Sequence, residues 1–211
     1  MATHGGGGSG GGKAATSAQA AALAIPANYL ERLKRRLREK SLFRGEVTLS
    51  SGKKSNYYLD CRLTTLDPEG SVLVAHAILE WLAAKGIRAD GIGGMSIGAD
   101  PVVASVVALS YLEGRPLPGF LVRKERKEHG MQKKIEGLDA ALKNTSRQVV
   151  IVDDVCTTGK STVEAIEAAE AEGMNVVAVI SVVDREEGGS EILRKKYAYY
   201  AISTARELLA G

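Results

Sequence analysis

The sequence predicts one α/β domain whose parallel sheet is covered by helices on both faces. Three observations carry this. Gly91–Met95, Gln148–Asp153 and Asn175–Asp184 are apolar at successive positions, not at every second one, which marks strands buried on both faces. Stretches with helical spacing separate them, and that alternation gives a parallel sheet. With 211 residues, 45% of them hydrophobic, the chain has enough apolar material for one full core.

Residues 1–25 stand apart. Seven of the first twelve are glycine, the next dozen are mostly alanine, and no acidic residue precedes Glu31. This reads as a disordered tail, and the domain is expected over 26–211. Asn28 followed by Glu31 reads as a capping box on a first helix, with Leu30, Leu33 and Leu37 on one face. Asp67-Pro68 reads as the cap and first turn of a second helix that runs through Trp81 and stops at Gly86. Then follow strand Gly91–Met95, helix Pro101–Leu112, strand Gly119–Arg123, strand Gln148–Asp153, helix Ser161–Glu172, strand Asn175–Asp184 and an edge strand Tyr197–Ile202. The stretch from Lys124 to Arg147 breaks the alternation. It is long, polar and without apolar periodicity, so it is expected as a mobile loop that nothing holds to the core.

A net charge of +3 argues against a general nucleic-acid binder. Two cysteines, Cys61 and Cys156, are too few and too far apart for a disulfide scaffold or a zinc site, so a reducing, cytoplasmic setting is expected. No apolar run is long enough to span a membrane.

The strongest chemical signal is Val149-Val150-Ile151-Val152-Asp153-Asp154-Val155-Cys156-Thr157-Thr158-Gly159-Lys160-Ser161-Thr162. A buried strand delivers two adjacent carboxylates to its carboxyl end. A hydroxyl- and glycine-containing loop follows, then a helix start whose backbone N–H groups favour a phosphate. Carboxylates beside a phosphate site need another partner, and sugar hydroxyls with bound magnesium are the natural one. The segment therefore describes a 5-phosphorylated ribose. An ordinary strand-turn-helix with solvated aspartates is the bland alternative, but an apolar strand ending in a carboxylate pair is costly without a use. A nucleotide P-loop fails on spacing, because Asp154 stands where that motif needs glycine.

The segment closely resembles the phosphoribosyl pyrophosphate signature of type I phosphoribosyltransferases. Three further segments resemble the orotate-specific branch. Leu49 to Arg62 is similar to its N-terminal hood, Arg123 to Gly130 to the start of its catalytic loop, and Ser181-Val182-Val183-Asp184-Arg185 to the strand end carrying an orotate-binding arginine. The resemblance implies a Rossmann-like parallel sheet flanked by helices, with a small hood over 26–66 and a core over 67–211. It implies transfer of a phosphoribosyl group to orotate, with Mg2+ held mainly through the phosphoribosyl pyrophosphate and not by a protein metal site. It also implies a homodimer whose loop reaches the neighbouring subunit's site.

The residues have their own logic. Arg185 can take a planar anion's carboxylate in a fork, with Thr157 hydrogen-bonding the ring and Tyr57 and Tyr58 flanking it; the alternative for Arg185 is a surface ion pair with Glu186 or Glu187. Asp153 and Asp154 are expected on the ribose hydroxyls, and Val155, Cys156, Thr157, Thr158, Gly159, Lys160, Ser161 and Thr162 around the 5'-phosphate. Arg123, Lys124, Lys127 and His129 suit a leaving pyrophosphate, on which charge grows as the bond to C1 breaks. Cys156 has no basic partner and reads as packing. Two positions depart from the family pattern: Ser50 and Ile97 stand where many bacterial members have lysine, leaving the glycine loop's N–H groups to serve. Three rivals are weighed. Arg185 argues against a purine or uracil transferase, intact Lys127 and His129 argue against a non-catalytic module, and Ser96 in the third glycine place argues against a dinucleotide fold.

Overall fold

The computed structural model describes residues 25–48, 52, 54–124, 134–137 and 147–211. The chain enters through helix α1 (Tyr29–Arg36), which continues into a wide π-type turn at Leu37–Ser41. An antiparallel hairpin follows, β1 (Leu42–Thr48) with β2 (Lys54–Leu59), and then a short helix α2 (Arg62–Thr65). The core alternates α3 (Pro68–Ala84), β3 (Gly91–Met95), α4 (Asp100–Leu112), β4 (Gly119–Val122) and β5 (Ile135–Glu136). It closes with β6 (Gln148–Cys156), α5 (Lys160–Ala171), β7 (Asn175–Asp184), α6 (Gly189–Arg194), β8 (Ala198–Thr204) and α7 (Ala205–Ala210).

The main sheet runs β5-β4-β3-β6-β7-β8. All its neighbours are parallel except the β4–β5 pair. The chain order reverses direction between β3 and β6, a topological switch point, and sites in open α/β sheets form beside it at the carboxyl ends of strands.

β6 shows why the sheet is buried on both faces. Val150 and Val152 enter one core with α3, α4 and β7, while Val149 and Ile151 enter a second core with α5 and Met174. Each such side chain removed from water contributes roughly 1.5–3 kcal/mol. α3 has buried residues around most of its circumference, Leu73, Val74, Ala77, Ile78 and Leu82 among them. It is pinned to β8 by Trp81 stacked on Tyr200 at 5.0 Å, and to α1 by the edge of Tyr29 against His76 at 4.7 Å.

Three sequence expectations need correction. Asn28 makes no side-chain cap, because its φ of −93° and ψ of 26° lie outside the extended region that points a cap side chain at the helix N–H groups. β6 continues three residues beyond Asp153, because β7 continues beside it and pairs Val155 with Val183 and Cys156 with Asp184. The polar stretch after Lys124 is not wholly without a hold on the core. Ile135 is buried, and β5 pairs with β4 through Leu121–Glu136 and Val122–Ile135.

Candidate active site

β6 carries its acidic pair to the open end of the sheet. Asp153 is 5% exposed, and its Oδ2 accepts hydrogen bonds from Ser161 Oγ (3.1 Å) and Thr162 Oγ1 (2.6 Å). Loss of hydration pushes its carboxyl up to about 7, against the lowering effect of those hydroxyls, and the negative Asp154 next to it adds to the rise. Asp154 is less enclosed. Burial raises it too, opposed by the Val155 N–H at 2.9 Å and by the positive charge of Arg62. Arg62 is itself anchored in a fork on Asp60, at 2.8 and 3.0 Å.

The loop after β3 closes on this pair. A Cβ at Gly98 would stand 2.4 Å from Asp154 Oδ1, and one at Gly94 would stand 2.1 Å from the Val152 carbonyl. Only glycine lets the two strand ends approach this closely.

After β6 the chain turns through Gly159, whose φ of 74° is left-handed, and starts α5 with no side-chain cap. The first-turn N–H groups therefore lack a side-chain partner at the N-cap and carry the positive end of the helix dipole. They open onto a cavity of about 460 Å³ lined by the 157–161 loop with Lys124, Val155 and Glu164. Gly189 backs the loop so closely that a Cβ there would meet Gly159 N at 2.5 Å.

Across the site, Arg185 leaves the end of β7. Its side chain is only 9% exposed, its guanidinium lies over the Tyr57 ring at 4.9 Å, and its Nε is 2.9 Å from Glu187 Oε1. A buried acid pair, a cavity at a helix start and a buried arginine against an aromatic face thus converge at one end of the sheet.

The comparisons agree with that assembly. A model of the phosphoribosyl transferase domain matches residues 101–206. The orotate phosphoribosyltransferase of Rhodopirellula baltica is 46% identical over 160 residues, covering 74% of this chain and 81% of its own length. That of a Bradyrhizobium species is 41% identical over 174 residues, 82% of this chain and 93% of the relative. The crystal structure of Mycobacterium tuberculosis orotate phosphoribosyltransferase with 5-phospho-α-D-ribosyl 1-diphosphate superposes with a TM-score of 0.70 at 32% identity, covering 85% of this chain and 98% of that one. The chain belongs to the orotate phosphoribosyltransferase family. It transfers the 5-phosphoribosyl group of phosphoribosyl pyrophosphate to orotate, giving orotidine 5'-monophosphate and pyrophosphate in pyrimidine biosynthesis.

On this phosphoribosyltransferase framework the sequence-predicted residues divide. Asp153, Asp154, Thr157–Ser161 and Lys124 cluster around the β6 end and the α5 start. Thr162 does not face the cavity: it is 1% exposed and gives its hydroxyl to Asp153. Lys160 lies at the rim of the cavity, with its side chain 83% exposed and 4.0 Å from Glu164. Cys156 is fully buried and its thiol is pushed up to about 11, mainly by burial, which fits packing and not nucleophilic attack. Tyr57 and Tyr58 do not flank one pocket, because neighbours on a strand point to opposite faces. Tyr57 meets Arg185, whereas Tyr58 pairs with Phe43 at 6.2 Å and is 40% exposed. Arg123 is engaged with Glu136, Nη1 to Oε1 at 3.4 Å. Lys127, His129 and Ser50 lie outside the described residues, and Ile97 is 70% exposed.

Three contributors were missed by sequence reasoning: Thr162 as the holder of Asp153, Arg62 beside the acids, and Gly98 beneath Asp154; the ion pair weighed as the alternative for Arg185 is present, with Glu187, although Arg185 is buried and not at the surface. Of those three, Gly98 alone had a local signal, the Gly93-Gly94-Met95-Ser96-Ile97-Gly98 run.

Proposed function

We propose that transfer proceeds by displacement at C1 of the ribose, through a state with oxocarbenium character, on this division of labour. The loop over 157–161 and the α5 N–H groups hold the 5'-phosphate. Asp154 takes the ribose hydroxyls, and Asp153, clamped by Ser161 and Thr162, completes the acidic wall behind it. Arg185, backed by Tyr57, takes the orotate carboxylate. Lys124, with Lys127 and His129 from the loop beyond it, balances the pyrophosphate as charge develops there, which favours the transition state over the ground state. Closure of that loop would exclude the water that otherwise hydrolyses the donor.

The single observation that carries this reading is the convergence of the buried acid pair with the helix-start cavity, on the side of the sheet where Arg185 emerges. Among the described residues no three His, Cys, Asp or Glu side chains converge as a metal cage. Two adjacent carboxylates suit Mg2+ carried in with the donor, since that ion keeps waters and uses substrate phosphates. Bound there, it would neutralise and orient the pyrophosphate.

The proposed assembly is a homodimer with the loop shared between subunits. Val72, Tyr111 and Leu112 support it: they are 42%, 73% and 60% exposed on α3 and α4, an apolar patch of the kind that marks an interface. The proposed compartment is the cytoplasm, which suits the free Cys61 and Cys156. Arg185→Ala tests the base assignment. It should lower kcat/KM for orotate by about 2–4 kcal/mol of transition-state binding, the range for a lost charge-assisted fork. Unchanged use of orotate would remove Arg185 from the site.

A further inference from the structure

Glu187 lies against the guanidinium that the reading above gives to orotate, and the chain is bent to put it there. Glu186 sits at φ 58°, a left-handed conformation that side-chain-bearing residues seldom adopt. It is held there by its N–H donating to Asp184 Oδ1 (2.8 Å) and by its carboxylate paired with Arg206 (3.0 Å). This turn folds Glu187 back over the end of β7, so that its Oε1 reaches Arg185 Nε at 2.9 Å.

The contact is one of charge and not of directed hydrogen bonding, because the buried Arg185 Nε has no hydrogen-bond partner. The two side chains are also held unequally. Arg185 is 9% exposed and fixed by the Tyr57 face, whereas Glu187 is 38% exposed at the rim. A buried cation needs a counter-charge when the site is empty. Once a substrate carboxylate arrives, two anions compete for one guanidinium, and the one at the rim can yield.

We propose that Glu187 is an internal carboxylate that occupies Arg185 in the empty enzyme and is displaced by the substrate's carboxylate, which makes it a specificity-determining residue. This rests on Arg185 being the orotate ligand. A pyrimidine without a carboxylate cannot displace Glu187 and gains nothing from Arg185. A carboxylated pyrimidine replaces a loosely held ion pair with a directed fork.

The test uses the full chain and two nucleotides that differ only in the carboxylate, orotidine 5'-monophosphate and uridine 5'-monophosphate, titrated calorimetrically. Glu187→Gln and Glu187→Ala should each tighten orotidine monophosphate about three- to fivefold, the scale of a partly exposed competing ion pair, and leave uridine monophosphate unchanged. Weaker binding of orotidine monophosphate would overturn the proposal and make Glu187 a residue that positions Arg185. Equal changes for both nucleotides would also overturn it. Arg185→Ala run in parallel separates the two levels: if it keeps the preference for orotidine monophosphate, the assignment of Arg185 has failed, and if it loses that preference, only the role of Glu187 is at stake.

Discussion

Replacing Asp153 with Asn should make the empty protein more stable at pH 8 while abolishing most of its activity. Burial pushes the Asp153 carboxyl from its ordinary value of 3.8 to about 7. The native state therefore binds a proton more tightly than the unfolded chain, and stability falls as pH rises from about 4 through 7. At about 1.4 kcal/mol for each pKa unit, the penalty fully developed above pH 7 is on the order of 2–4 kcal/mol. Asn escapes it. Its amide oxygen can still accept from Ser161 and Thr162, and its amide N–H can donate to Asp154 as a protonated Asp153 does. For a domain of this size that difference corresponds to a rise in Tm of roughly 5–15 °C at pH 8. Thermal unfolding of both proteins from pH 4 to 8.5 checks it. The two curves should meet near pH 4 and separate through pH 7. A variant that is less stable at pH 8, or an offset that does not change with pH, would refute the account of Asp153 as a carboxyl kept near neutrality by burial.

Other outcomes follow from the same geometry. Thr162→Val removes the 2.6 Å hydroxyl from Asp153 and should cost about 1–3 kcal/mol in denaturant unfolding, more at pH 8 than at pH 5, since the ionised carboxylate needs that donor most. Gly98→Ala brings a methyl group to 2.4 Å from Asp154 Oδ1; it should raise KM for the phosphoribosyl donor with the fold intact, and an unchanged KM would show the loop can shift aside. Calorimetry should find weak Mg2+ binding to the protein alone and strong binding once the donor is present, whereas tight stoichiometric binding to the empty protein would contradict a substrate-carried ion. Lys127→Ala should lower kcat far more than it weakens donor binding. Mixing it with Asp154→Asn dimers should restore part of the activity if the loop serves the partner's site, and no rescue after confirmed subunit exchange would place the loop over its own.

The sheet was legible where the chain is apolar at every position. β3 and β7 have the bounds their residue runs predict, because a strand buried on both faces has no alternation to obscure it. What escaped were features set by partners distant in the chain. β6 outlasts its apolar run because β7 continues beside it, so Asp154, Val155 and Cys156 belong to the strand and not to the loop after it. β5 is two residues long, too short to show any period. The capping box is absent at Asn28 and present at Thr204, which accepts from the Glu207 N–H at 3.2 Å and has the extended backbone a cap needs. In the site, the motif made legible that the acidic pair and the hydroxyl- and glycine-containing turn stand together at the end of β6. Whether a given hydroxyl faces ligand or carboxylate was not: Ser161 and Thr162 both give theirs to Asp153, a contact made across the turn between β6 and α5. The approach of Tyr57 to Arg185 joins the hairpin to the far end of the sheet, and no local pattern encodes it.

This enzyme joins a phosphoribosyl group to a carboxylated pyrimidine. The most direct measurement is the loss of orotate absorbance when protein, orotate, phosphoribosyl pyrophosphate and Mg2+ are mixed, repeated with uracil and with hypoxanthine in place of orotate. Turnover is expected with orotate alone, lost in Asp154→Asn and sharply reduced in Arg185→Ala. Turnover of uracil or hypoxanthine at a comparable rate, or orotate turnover that survives both substitutions, would contradict it.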